Sequence, residues 1–110
     1  MSFECDGRLI KTDDEGYLLD SEDWSTSVAL TLAEGKGVTL DEAHWEVLTL
    51  LRKFYIEHQL SPPMRPLVRL LKQELGSDKG RSIYLLKLFP GSPAKLAAFI
   101  AGLPRPENCL

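Results

Sequence analysis

The stretch from Thr39 to Gln59 constrains this chain most. His44, Val47, Leu48, Leu51, Phe54, Tyr55 and His58 recur at spacings of three and four, which places them on one stripe of an amphipathic α-helix. Thr39-x-x-Glu42 has the spacing of a capping box and predicts the start of that helix. Ser61-Pro62-Pro63 breaks the chain after it. A helix of this length in a chain of 110 residues is the spine of a single domain, and a hydrophobic fraction of 44% is enough to bury one core around it.

The flanking segments carry their own punctuation. Asp6-Gly7 between Phe3-Glu4-Cys5 and Arg8-Leu9-Ile10 predicts a hairpin with a two-residue turn. Glu15-Gly16 followed by Tyr17-Leu18-Leu19 suggests a further turn and a third short strand, and Ser21–Trp24 one helical turn. Ser25 or Ser27 can cap a helix over Val28–Glu34 that ends at Gly35 or Gly37. Beyond the double proline a helix starts by Pro66, buries Leu67, Val68, Leu70, Leu71 and Leu75, and stops at Gly76. Ser77 or Asp78 can cap the next, through Ile83–Phe89 to Pro90-Gly91, and Ser92-Pro93 opens a last one over Ala94–Ala101. The expectation is a mainly α, compact, helix-turn-helix-like domain with a small N-terminal β-hairpin, spanning residues 1–101, and a flexible C-terminal arm over 102–110.

No apolar run approaches the roughly 20 residues of a membrane span, and the acidic start MSFECDGR lacks the regions of a signal peptide. A cytoplasmic protein with free thiols is therefore expected. The net charge of −3 is unevenly spread: residues 1–59 hold 5 Lys/Arg against 13 Asp/Glu, and residues 60–101 hold 7 against 2. Such polarity favours an oriented encounter with a charged partner. Arg65, Arg69 and Lys72 fall at helical spacing, with Arg81 and Lys95 on the elements that follow. They are candidate partner-binding residues, for an acidic protein or for phosphates, although no aromatic residues are interleaved as in a dedicated nucleic-acid surface.

Few residues invite chemistry. His44 and His58 lie on one helix about 21 Å apart, with no ligand cluster beside either, and no metal or cofactor is called for. Asp13-Asp14-Glu15 reads as a solvated turn, and no phosphate-binding glycine loop is present. Cys5 alternates with Phe3 on the first strand and reads as a small buried hydrophobe. Cys109 differs, because packing gives no reason for a thiol at a chain end. Pro104 and Pro106 hold the segment before it near extended geometry, so the stretch from Gly102 to Asn108 spans about 20–25 Å. A semi-stiff arm of this kind can carry a thiol into another protein's pocket.

The stretches His44-Trp45-Glu46-Val47, Phe54-Tyr55, Tyr84–Pro90, Pro93-Ala94-Lys95 and Ile100-Ala101-Gly102-Leu103-Pro104-Arg105-Pro106-x-x-Cys109 together resemble the TusE/DsrC family, in order and over nearly the whole chain. The resemblance implies a helical fold with a small hairpin and a mobile arm, Gly102, Leu103, Pro104, Arg105 and Pro106 leading to a reactive penultimate cysteine, Cys109. DsrC proteins carry a second cysteine eleven residues upstream; Ala98 stands there, so the likeness is to the single-cysteine TusE branch. Leu96 replaces a glutamine common in the family. The resemblance implies a sulfurtransferase that carries a persulfide, taking sulfur from a TusBCD-like donor complex and passing it to an MnmA-like tRNA thiolase for wobble-uridine thiolation. Two other readings stand beside it: a DsrC-like protein of sulfite reduction or sulfur oxidation, and a non-catalytic DNA-binding regulator on the same fold.

Overall fold

The computed structural model describes residues 1–107. Two antiparallel strands, β1 (Ser2–Cys5) and β2 (Arg8–Lys11), pair Phe3 with Ile10 and Cys5 with Arg8. Asp6 and Gly7 both take positive φ, 51° and 76°, the backbone of a type I′ turn whose twist matches the strands it joins. Only one face of the hairpin meets the core, through the buried Ile10 and the half-buried Phe3 and Cys5. The third strand expected at Tyr17–Leu19 reduces to one bridge between Thr12 and Leu18. Asp13 Oδ1 accepts from the backbone of Glu15 and Tyr17, closing a tight turn, and by Ser21–Asp23 the chain has entered a short 3₁₀ turn.

Five helices follow: α1 (Thr26–Gly35), α2 (Glu42–His58), α3 (Met64–Leu75), α4 (Ser82–Leu88) and α5 (Pro93–Ile100). With the hairpin they make up the architecture expected. Ser25 caps α1, its Oγ accepting from Val28 N–H. The spine α2 buries His44, Val47, Leu48 and Leu51 and ends at Gln59 in the left-handed region. Its cap is not the Thr39/Glu42 pair. Asp41 Oδ1 accepts from the amides of Ala43 and His44, and His44 Nδ1 accepts from Asp41 N–H, so the reciprocal box is built two residues later. The reason is tertiary: His44 Nε2 lies 2.8 Å from Leu88 O at the end of α4. A carbonyl only accepts, so Nε2 carries a proton. Nδ1 lies 3.2 Å from Asp41 N and 3.0 Å from Asp41 Oδ1, accepting from the amide when it is bare and donating to the carboxylate when it is protonated.

Helix α3 starts at Met64, with Pro66 in its first turn, and buries Leu67 and Leu71 with Val68, Leu70 and Leu75 half-buried. Helix α4 begins at Ser82, well after the Ser77 or Asp78 expected to cap it. Gly80 packs so closely on α3 that a Cβ there would lie 2.3 Å from Lys72 Cβ, and the segment 76–81 follows α3 before it can turn into a new helix. Helix α5 packs on both α1 and α2 and buries Pro93, Ala94, Ala97, Ala98, Phe99 and Ile100. It is the central element of the core, and the C-terminal segment leaves from its end. No single described helix is long and apolar enough to cross a membrane.

Candidate functional site

The end of α5 is buried, so its last carbonyls need partners from the protein. Leu103 N–H donates to Ala98 O at 3.0 Å and Gly102 N–H to Phe99 O at 3.2 Å, the two bonds of a Schellman motif with glycine at the left-handed position. Trp24 Nε1 donates to Ile100 O at 2.8 Å, and Arg52 Nη1 to Ala101 O at 2.8 Å. Every carbonyl from Ala97 to Ala101 is thus satisfied, Ala97 O by Ala101 N–H. Arg52 also donates to Ser21 O at 3.0 Å and stacks over Trp24, 4.3 Å from the ring centroid. Burial pulls its guanidinium pKa below the ordinary arginine value, but an arginine remains charged. Arg52 therefore presents a positive charge at the negative end of the α5 dipole.

Gly102 is required here for two reasons. Its φ is +72°, and a Cβ would lie 2.5 Å from Trp24 Cδ1. Leu103 is 1% exposed and inserts into the core. Beyond it, Ser61 Oγ donates to Pro104 O, and Pro106 is buried. Arg105 pairs with Glu15 and lies 5.3 Å from the Tyr17 ring centroid. The stretch expected to be flexible from Gly102 is therefore seated as far as Pro106, because Leu103 and Pro106 are buried and Pro104 O has its donor in Ser61. Three peptide steps separate Pro106 from Cys109, a contour of at most about 11 Å. Cys109 itself lies outside the described residues.

The remaining candidates are dispersed. Arg65, Arg69 and Lys72 are exposed along α3, and Arg81 is exposed ahead of α4. Lys95 sits apart from them on α5, lining with Lys36, Tyr17 and Phe99 a groove of about 340 Å³. Cys5 is half-buried, its Sγ 3.9 Å from Thr31 Oγ1. Ala98 is fully buried beneath the seated segment. His44 is a structural group of the core, whereas His58 is exposed beside Glu57 and Phe54. Among the described residues no three His, Cys, Asp or Glu side chains gather to hold a metal. Arg52, Trp24 and Ser61 went unread in the sequence, since their acceptors lie 49, 76 and 43 residues away.

A long central helix, an N-terminal hairpin and a C-terminal segment stapled to the last helix define the class of protein to which this chain is similar. The family model described as DsrC like protein matches residues 4–110. The sulfurtransferase TusE of Yersinia pseudotuberculosis is 51% identical over 107 residues, covering 97% of this chain and 99% of the relative. The sulfurtransferase TusE of Escherichia coli is 47% identical over 105 residues, covering 96% of each. Among solved structures, DsrC of Allochromatium vinosum superposes with a TM-score of 0.91 at 41% identity over the whole of both chains. The oxidized gamma-subunit of the dissimilatory sulfite reductase (DsrC) from Archaeoglobus fulgidus does so with a TM-score of 0.86 at 37% identity, again over the whole of both. The chain belongs to the DsrC-like family.

Proposed function

We propose that this protein is a sulfurtransferase of the TusE kind, a carrier that holds sulfane sulfur on Cys109. The observation that supports it best is a family match reaching to residue 110, over a tail with one cysteine in the penultimate position. In the reaction the Cys109 thiolate attacks the outer sulfur of a donor persulfide. A new S–S bond forms, the donor's S–S bond breaks, and the donor leaves as a thiolate. The acceptor's thiolate repeats the attack on the Cys109 persulfide and releases Cys109 in its starting state. One sulfur atom moves at each step, and no external oxidant or reductant is consumed.

The described residues serve this chemistry by position. Arg52, Trp24, Ser61 and Arg105 hold the root of the tail, so that the thiol is delivered from a fixed point and spends little entropy in finding its partner. Ala98 offers no thiol at the position where DsrC proteins have their second cysteine, which favours transfer between proteins over an internal disulfide. The donor in this reading is a TusBCD-like complex acting through its TusD subunit, the acceptor is an MnmA-like tRNA thiolase, and the setting is the cytoplasm. Arg65, Arg69, Lys72 and Arg81 form the surface offered to an acidic partner or to tRNA held by the acceptor.

The test is a reconstituted relay with a donor loaded with radioactive persulfide, the thiolase and tRNA. Label in 2-thiouridine should require the wild-type chain and vanish with Cys109→Ser. Replacing Arg65, Arg69 and Lys72 with Gln should slow transfer several-fold at low salt and little at high salt, because steering is screened over about 8–10 Å at physiological ionic strength. Equal labelling without the chain would overturn the reading.

A further inference from the structure

Helix α2 carries a second, partly exposed apolar stripe at the margin of the core, where Trp45 and, from α3, Leu75 are half-buried against it. Trp45, Thr49 and Leu50 follow Glu42 at helical spacing, and Trp45 and Leu50 are only half-buried. With Leu75 from the end of α3 they line a groove of about 620 Å³. From Glu42 to Leu50 the stripe runs about 12 Å, roughly two turns of helix. Carboxylates rim one end: Asp41, Glu42 and Glu46, against the single ammonium of Lys79. Lys79 Nζ lies 2.9 Å from Glu46 Oε1, and that hydrogen bond raises the lysine's pKa, so it neutralises one of the three; Asp41 is held by the α2 amides and His44, and Glu42 makes no ion pair among the described residues. At the same end the hydroxyl of Tyr84 is buried with no hydrogen-bond partner among the described residues.

We infer that this groove is a second docking surface, and that its occupant is a basic amphipathic segment of a partner protein, with large apolar side chains on Trp45, Leu50 and Leu75 and Lys or Arg against Asp41 and Glu42. The apolar floor with anchor spacing is what a helix laid in a groove requires. The carboxylate rim selects a cationic partner and repels the nucleic-acid backbone. The surface thus differs in sign from the basic face of α3, and the protein meets basic and acidic partners on different faces. The inference goes beyond the relay reading and is read out without sulfur, so either can fail while the other stands.

The test is a titration of the isotopically labelled full-length protein, followed by amide and indole resonances. The probe is a synthetic 14-residue peptide with Leu at positions i, i+3, i+4 and i+7 and Lys elsewhere. Shifts centred on Trp45, Leu50, Leu75 and Tyr84 are expected. A peptide with Ser in place of Leu should bind at least tenfold more weakly, as should the Leu peptide to Glu42→Lys and to Thr49→Lys, both exposed changes that leave the spectrum of the fold intact. Shifts elsewhere on the molecule, equal binding of a Glu-for-Lys peptide, or the same shifts with a single-stranded RNA oligomer would overturn it.

Discussion

At Gly102 three demands meet in one residue: a left-handed backbone, a close approach to the Trp24 ring, and an amide that must reach Phe99 O. Gly102→Ala should cost about 2–4 kcal/mol, the sum of a strained positive φ and an overpacked contact. Thermal unfolding measures it, with Trp24→Phe as the companion change. That variant keeps part of the packing and of the Arg52 stack but leaves the buried Ile100 O without its donor, so about 1–3 kcal/mol is expected. A neutral Gly102→Ala would mean that the root is not held as described. The sequence shows Gly102 as a helix stop and Leu103 as an apolar residue, and both readings lead to the C-terminal motif of α5. Arg52 and Trp24 carry no local sign of their role, because the carbonyls they satisfy exist only once α5 has packed on α2. A signal was present in Arg52 all the same, a charge placed directly after Leu51 at the edge of the apolar stripe of α2.

The helices show where local rules decide and where tertiary contacts do. Ser25 and the Asp6-Gly7 turn behave as their residue types predict, whereas Gln59 takes a left-handed φ of 56° that Gly or Asn would adopt more readily. At the start of α2 two boxes compete, Thr39 with Glu42 and Asp41 with His44, and the second prevails because only His44 reaches Leu88 O. The delayed start of α4 has the same kind of origin in the contact of Gly80 with α3. The Asp41 cap has a pH signature. Its hydrogen bond with the His44 side chain, and then that with the His44 amide, hold the carboxyl below its usual 3.8. The folded state therefore binds this proton less readily than the unfolded chain, so the stabilisation is full above the unfolded value and is lost as pH falls through the lower folded one. Asp41→Ala should melt below wild type at pH 6, and the gap in Tm should narrow below about pH 4. A gap that stays constant down to pH 2 would remove the carboxylate from the cap.

Across the whole molecule the acidic N-terminal half and the basic segment 60–101 are joined through α5, and the C-terminal tail leaves from the end of that helix. Composition made the charge polarity legible, and the order of motifs made the family legible. Neither could show that Gly102–Pro106 are seated, which reduces the reach of the thiol from the 20–25 Å first expected to about 11 Å beyond Pro106. In the relay proposed above, a short reach from a seated root means that partners approach the α5 end of the molecule to meet Cys109. Cys5, half-buried against Thr31, serves as the internal control. Intact-mass measurement after incubation with a small persulfide donor tests this most directly. Wild type and Cys5→Ser should each gain one sulfur, about 32 Da, reversed by a thiol reductant, and Cys109→Ser should gain none. Sulfur retained on Cys109→Ser, or lost from Cys5→Ser, would contradict the account.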